Sequence, residues 1–188
     1  MIHTVRFALS ALVAVAAFGS VALAQQNHDV MMHIEEVEGR PVPMFFFEPV
    51  GLHVQPGDTV TFVAASPHHT ATAYHAQHIK THRVPDGVPP FSSPIVPIGE
   101  SWSYTFDVPG TYDIWCGPHE SYGMAMRIVV GEPGGPAEEP VTEFGPDGVF
   151  AIAGVALSQP ELASSRIVAN GAVSWTEIVG AVLAAGLP

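Results

Sequence analysis

The chain has 188 residues, 18 of them acidic and six basic, for a formal net charge of −12 at pH 7. Apolar residues make up 47% of it and charged residues 13%, enough for a packed core. So acidic a balance argues against partnership with nucleic acid or anionic lipid and suits either a cationic partner or a salty habitat.

Residues 1–24 read as an export leader. Arg6 supplies the positive end, Phe7 opens an apolar run that reaches Phe18, and Val21-Ala22-Leu23-Ala24 ends in small-x-small, so cleavage is expected after Ala24. The run falls short of the ~20 residues a membrane span needs, so no stable membrane insertion is expected. A secreted or periplasmic location follows. About 160 residues remain, on the order of one domain.

From residue 25 to 131 the pattern is all-β: short apolar runs punctuated by Pro and Gly. Strands are expected over 30–37, from Met44 to Phe47, around Leu52 and Val54, and over 59–64 after the Gln55-Pro56-Gly57-Asp58 turn. Residues 70–99, rich in Pro, Gly and His, read as a long irregular excursion. Strands resume over 101–106, over 111–115 leading straight into Cys116, and over 126–130. Residues 132–148 are a Pro/Gly/Glu linker. The extension 149–188 is expected to hold two short helices. One is opened by Ser158-Gln159-Pro160-Glu161 and closed at Asn170-Gly171, the other opened by Ser174-Trp175-Thr176-Glu177.

Cys116 is the one cysteine, so an exported chain cannot use it in an internal disulfide. It opens the segment Cys116-Gly117-Pro118-His119-Glu120-Ser121-Tyr122-Gly123-Met124. Thiolate, imidazole and thioether at C-x2-H-x4-M can meet at one point of a single loop. Soft sulfur with imidazole selects copper over magnesium or calcium, and Cys, two His and an axial Met describe a one-copper electron-transfer site. The second histidine must come from elsewhere, and the adjacent His68 and His69 are both candidates.

Three blocks resemble the plastocyanin/pseudoazurin branch of the cupredoxins: the 47–62 stretch containing Pro56-Gly57-Asp58-Thr59-Val60, the turn Ser66-Pro67-His68-His69-Thr70, and the 110–124 stretch with the ligand loop. The resemblance covers about 30–131. It implies a Greek-key cupredoxin β-barrel or sandwich, here with a short C-terminal helical extension. It also implies one type 1 copper ion held by His69, Cys116, His119 and Met124, shuttling single electrons between redox partner proteins. His69 is favoured because Thr70 can then take over the hydrogen bonding of the Asn that family members carry after the first ligand. A monomer is expected, with a basic docking face on its partners.

Other readings are weaker. Copper enzymes of related fold use H-x-H pairs, which this chain lacks, so no enzyme is expected. A periplasmic copper-binding or copper-delivery protein would use the His-rich 68–82 segment. There His75, His78 and His82 share one face if helical, although such histidines are most often simply solvated.

Overall fold

The structure, a computed structural model, describes residues 24–186. Apart from Ala24, the expected leader lies outside the described residues. Among the described residues, nine strands form two facing sheets. The first has the order β2 (Met44–Glu48), β1 (Asn27–Glu35), β4 (Asp58–Ala64), β6 (Ser101–Phe106). The second runs β5 (Thr72–Ala73), β7 (Gly110–Trp115), β8 (Ala125–Val130), β3 (Gly51–Val54), β9 (Ala172–Val173). β1 pairs parallel to β4, and β3 parallel to β8, with the remaining pairs antiparallel. Parallel neighbours need a crossover, so the chain passes repeatedly between the sheets, and the result is the Greek-key sandwich.

Alternation sets the core. Along β4, Asp58, Val60, Phe62 and Ala64 point inward and the residues between them are only half-buried. They meet Met32, Phe47, Phe106, Tyr112, Ile114 and Ile128, all at most 1% exposed. β8 is buried at every position, because the sandwich lies on one face and the C-terminal extension on the other. β1 starts earlier than 30–37 because Asp58 holds its beginning: the Asp58 carboxylate accepts from the Gln26 N–H at 2.8 Å and lies 3.0 Å from His28 Nε2.

The extension carries three α-helices rather than two: α1 (Ala151–Leu157), α2 (Ser164–Asn170) and α3 (Val179–Ala184). α1 escapes a pattern reading because no side chain caps it and Gly154 sits in its middle. Packing makes it: Ala153 and Leu157 bury against Tyr74, Ala125 and Val149, and a Cβ on Gly154 would come within 2.7 Å of the Phe144 ring. The Ser158–Glu161 box does not form. Ser158 instead ends α1, and Pro160–Leu162 is a separate 3-10 turn. The Ser174–Glu177 box does form, and Gly171 at φ 81 ends α2.

Residues 132–148 are tied to the sandwich by buried charge. Asp113 on β7 accepts from Arg83 Nε at 2.7 Å and from Arg127 Nε at 2.8 Å. Both guanidinium groups then donate to the Ala137 carbonyl, and Arg127 reaches the Leu162 carbonyl at 3.1 Å. No described helix is long and apolar enough to cross a membrane.

Candidate metal centre

β7 delivers Cys116 to one end of the sandwich, and the loop that follows closes on itself. Cys116 N–H donates to the Met124 carbonyl at 3.1 Å, and Met124 N–H to the His119 carbonyl at 3.2 Å. A 3-10 turn over Glu120–Tyr122 and Gly123 at φ 96 return the chain to β8. Glycine is required there: the backbone is left-handed, and a Cβ would meet Ile152 at 2.7 Å.

The histidine comes from the connection after β4. His68 adopts φ 67 in a bend and is exposed, whereas His69 forms a β-bridge with Val96 and is fully buried. That left-handed residue rotates the chain so that His69, not its neighbour, turns inward. His69 Nδ1 lies 3.7 Å from Cys116 Sγ, His119 Nδ1 lies 3.4 Å from the same sulfur, and the two Nδ1 atoms are 3.3 Å apart. Among the described residues this trio is the group of His, Cys and acidic side chains whose donor atoms converge within 4.8 Å. Met124 is buried at 0% exposure in the same loop.

The trio fits a metal. A point equidistant from the three donors lies about 2 Å from each, the length of a first-row metal–imidazole bond. Burial pushes both His69 and His119 down to about 4, so at neutral pH each ring is uncharged with a lone pair to offer. Burial pushes the Cys116 thiol up to about 11, against the hydrogen bond from Thr70. A cation at the centre supplies the charge a buried thiolate needs. Soft sulfur with two imidazoles is copper's donor set.

The surroundings hold these donors in place. Ser66 Oγ is 2.9 Å from His69 Nε2, which orients that ring with Nδ1 inward. Thr70 N–H donates to Cys116 Sγ at 3.3 Å, and Thr70 Oγ1 accepts from Gly117 N–H at 2.7 Å, as anticipated for the residue in the usual Asn place. Phe45 stacks on His119 with centroids 4.3 Å apart and touches Tyr122. Phe45 does not stand out in the sequence, because its contact with His119 is long-range. Ser66 lies in the quoted turn three residues before His69, but it carries no signal that its hydroxyl faces the ring. Glu120 does not stand out either, because its buried contacts with Lys80 and Tyr74 are long-range.

The remaining histidines do not converge in this way. His75 and His82 have ring centroids 4.9 Å apart, and His75 and His78 6.3 Å, around a 3-10 turn instead of a helix. His75 Nδ1 already accepts from the Gln77 N–H.

The chain is similar in sequence to known copper proteins. The model for copper binding proteins of the plastocyanin/azurin family matches residues 34–131, just over half the chain. A pseudoazurin of Paracoccus pantotrophus is 35% identical over 130 residues, covering 69% of this chain and 78% of that protein. A chloroplastic plastocyanin of Hordeum vulgare is 34% identical over 133 residues, covering 65% and 76%. A solved pseudoazurin from Sinorhizobium is 35% identical with a TM-score of 0.47, covering 58% of this chain and 76% of that one. With two imidazoles and a thiol converging inside the stretch that the family model spans, the chain belongs to the plastocyanin/azurin family of copper-binding proteins.

Proposed function

We propose that this chain is an exported, monomeric type 1 copper protein that carries single electrons between redox partners, its copper held by His69, Cys116, His119 and Met124. The convergence of two buried imidazoles and one buried thiol within 4.8 Å carries the reading. Copper supplies a one-electron couple when bound there. The chain's own part is to keep the donors still and dry. Ser66 orients His69, Thr70 anchors the sulfur and the loop behind it, and Phe45 covers the His119 ring. Donors that do not rearrange between oxidation states allow fast exchange. His69, Cys116 and Met124 are 0% exposed and His119 is 9%, which makes the His119 edge the point of closest approach for a partner.

The partner should present positive charge. Of the 18 acidic residues only Asp58, Asp113 and Glu120 are buried, whereas Lys80, Arg83 and Arg127 are turned inward. The outer surface is thus more one-sided than the composition. Electron exchange with a cationic small-molecule complex should outpace that with an anionic one of matched driving force, and the gap should shrink as salt rises. Residues 1–24 are read as the leader, 25–131 as the copper domain, 132–148 as its linker and 149–188 as an extension that covers β8.

The decisive test is a visible spectrum of the chain from residue 25 onward, loaded with Cu(II). The reading expects an intense band that ascorbate bleaches reversibly and that Cys116→Ser abolishes. A pale complex that survives this substitution would overturn it.

A further inference from the structure

Glu120 directly follows His119 in the ligand loop, and Lys80 comes from the long connection between β5 and β6. Their side chains are 1% and 5% exposed, and Lys80 Nζ donates to Glu120 Oε2 at 2.6 Å. The other carboxylate oxygen accepts from the Tyr74 hydroxyl at 2.7 Å and from the Phe150 N–H, at the start of α1, at 3.2 Å. The Lys80 ammonium also lies 4.8 Å from the ring centroids of both Trp115 and Phe150. Trp115 is the residue before Cys116. The anion is therefore covalently next to one candidate ligand, and the cation rests on the ring next to another.

A buried ion pair is seldom kept for stability, since apolar residues of the same volume often serve as well. Here the two charges have a further consequence. Changing the oxidation state of the centre changes its charge by one, and a fixed unpaired charge nearby, in a medium that screens poorly, biases that equilibrium. Paired at 2.6 Å, the two fields largely cancel.

We propose that Glu120 and Lys80 are a positioning pair for the copper centre. Glu120 fastens the ligand loop to Tyr74 and to the start of α1, and Lys80 neutralises Glu120 so that the loop carries a buried carboxylate without lowering the copper potential. The proposal rests on the copper reading above.

The test compares copper-loaded wild-type chain with Glu120→Gln, Lys80→Met and the double variant. The reduction potential is followed by spectroelectrochemical titration, and amide hydrogen exchange over 120–124 is followed in the metal-free proteins. The potential should rise in Glu120→Gln, fall in Lys80→Met and return to the wild-type value in the double variant. Loop exchange should quicken by about tenfold or more in Lys80→Met, which loses a charge-assisted bond. Shifts of the same sign in both single variants, or no shift in either, overturn the proposal. If Lys80→Met does not fold, an unshifted potential in the near-isosteric Glu120→Gln overturns it alone. Absence of a blue band and of a reversible couple in the wild-type chain would instead overturn the copper reading itself.

Discussion

Thr70 binds the Cys116 sulfur through its backbone N–H at 3.3 Å, and from the same residue its hydroxyl holds the next amide of the loop, Gly117, at 2.7 Å. One residue beside His69 therefore fixes both the thiol and the turn behind it. Thr70→Val keeps the shape and the first bond but deletes the second, so the Gly117 N–H loses its acceptor. We expect a loss of about 1–2 kcal/mol in the denaturant-derived stability of the metal-free protein and a displaced blue band, with Thr70→Ser restoring both.

The two adjacent histidines should behave oppositely. His69→Gln removes a fully buried donor 3.7 Å from the sulfur and should abolish the intense visible band. His68→Gln alters an exposed ring on a left-handed residue and should leave the band in place. Absorption spectra of the two copper-loaded variants, recorded side by side, make the check, and a band lost only in His68→Gln would reverse the assignment.

Acid should weaken the metal-free protein in a defined window. Burial holds His69 and His119 at about 4, whereas an unfolded histidine titrates near 6.5. Between those values the unfolded chain takes up protons that the folded one refuses, so stability is full above about pH 6.5 and falls as pH drops toward 4. The slope from these two groups is at most about 1.4 kcal/mol per pH unit for each ring. Urea unfolding at a series of pH values measures it, and the slope should flatten when both rings are replaced by Gln.

Asp113 should be intolerant of neutralisation. It is 0% exposed and pairs with both Arg83 and Arg127. Burial alone would lower Arg127, and Asp113 outweighs this and holds it above its ordinary value. Asp113→Asn leaves two guanidinium groups without the carboxylate that both of them bind, a loss on the order of 3–5 kcal/mol. Because the same arginines hold the Ala137 carbonyl, limited proteolysis within 139–148 should quicken as well. Thermal midpoint and peptide mapping report the two effects separately.

The strands were legible wherever alternation or a turn residue announced them. β4 follows Pro56-Gly57, and β7 runs directly into Cys116. α1 was not legible, because its stability comes from burying Ala153 and Leu157 against Tyr74 and Ala125, contacts made across the fold. The first capping box misled for the same reason. Ser158 was already committed to ending a helix that only tertiary packing creates.

By itself the sequence determined the donor types and the loop that holds three of them. Cys116, His119 and Met124 lie within nine residues, so local chain geometry suffices to bring them together. It also determined that residues 25–131 are all-β, since short apolar runs punctuated by Pro and Gly read as strands, while the Greek-key arrangement came from the resemblance to the cupredoxins. Only the tertiary structure decided which of His68 and His69 turns inward, because that depends on one left-handed residue and on a bridge to Val96. It alone decided that three of the few cations are spent inside, on Asp113 and Glu120. Asp113 faces Arg127 across the β7–β8 pair, whereas Arg83 and Lys80, 30 and 40 residues from their partners, reach them only when the connection after β5 folds back along that sheet.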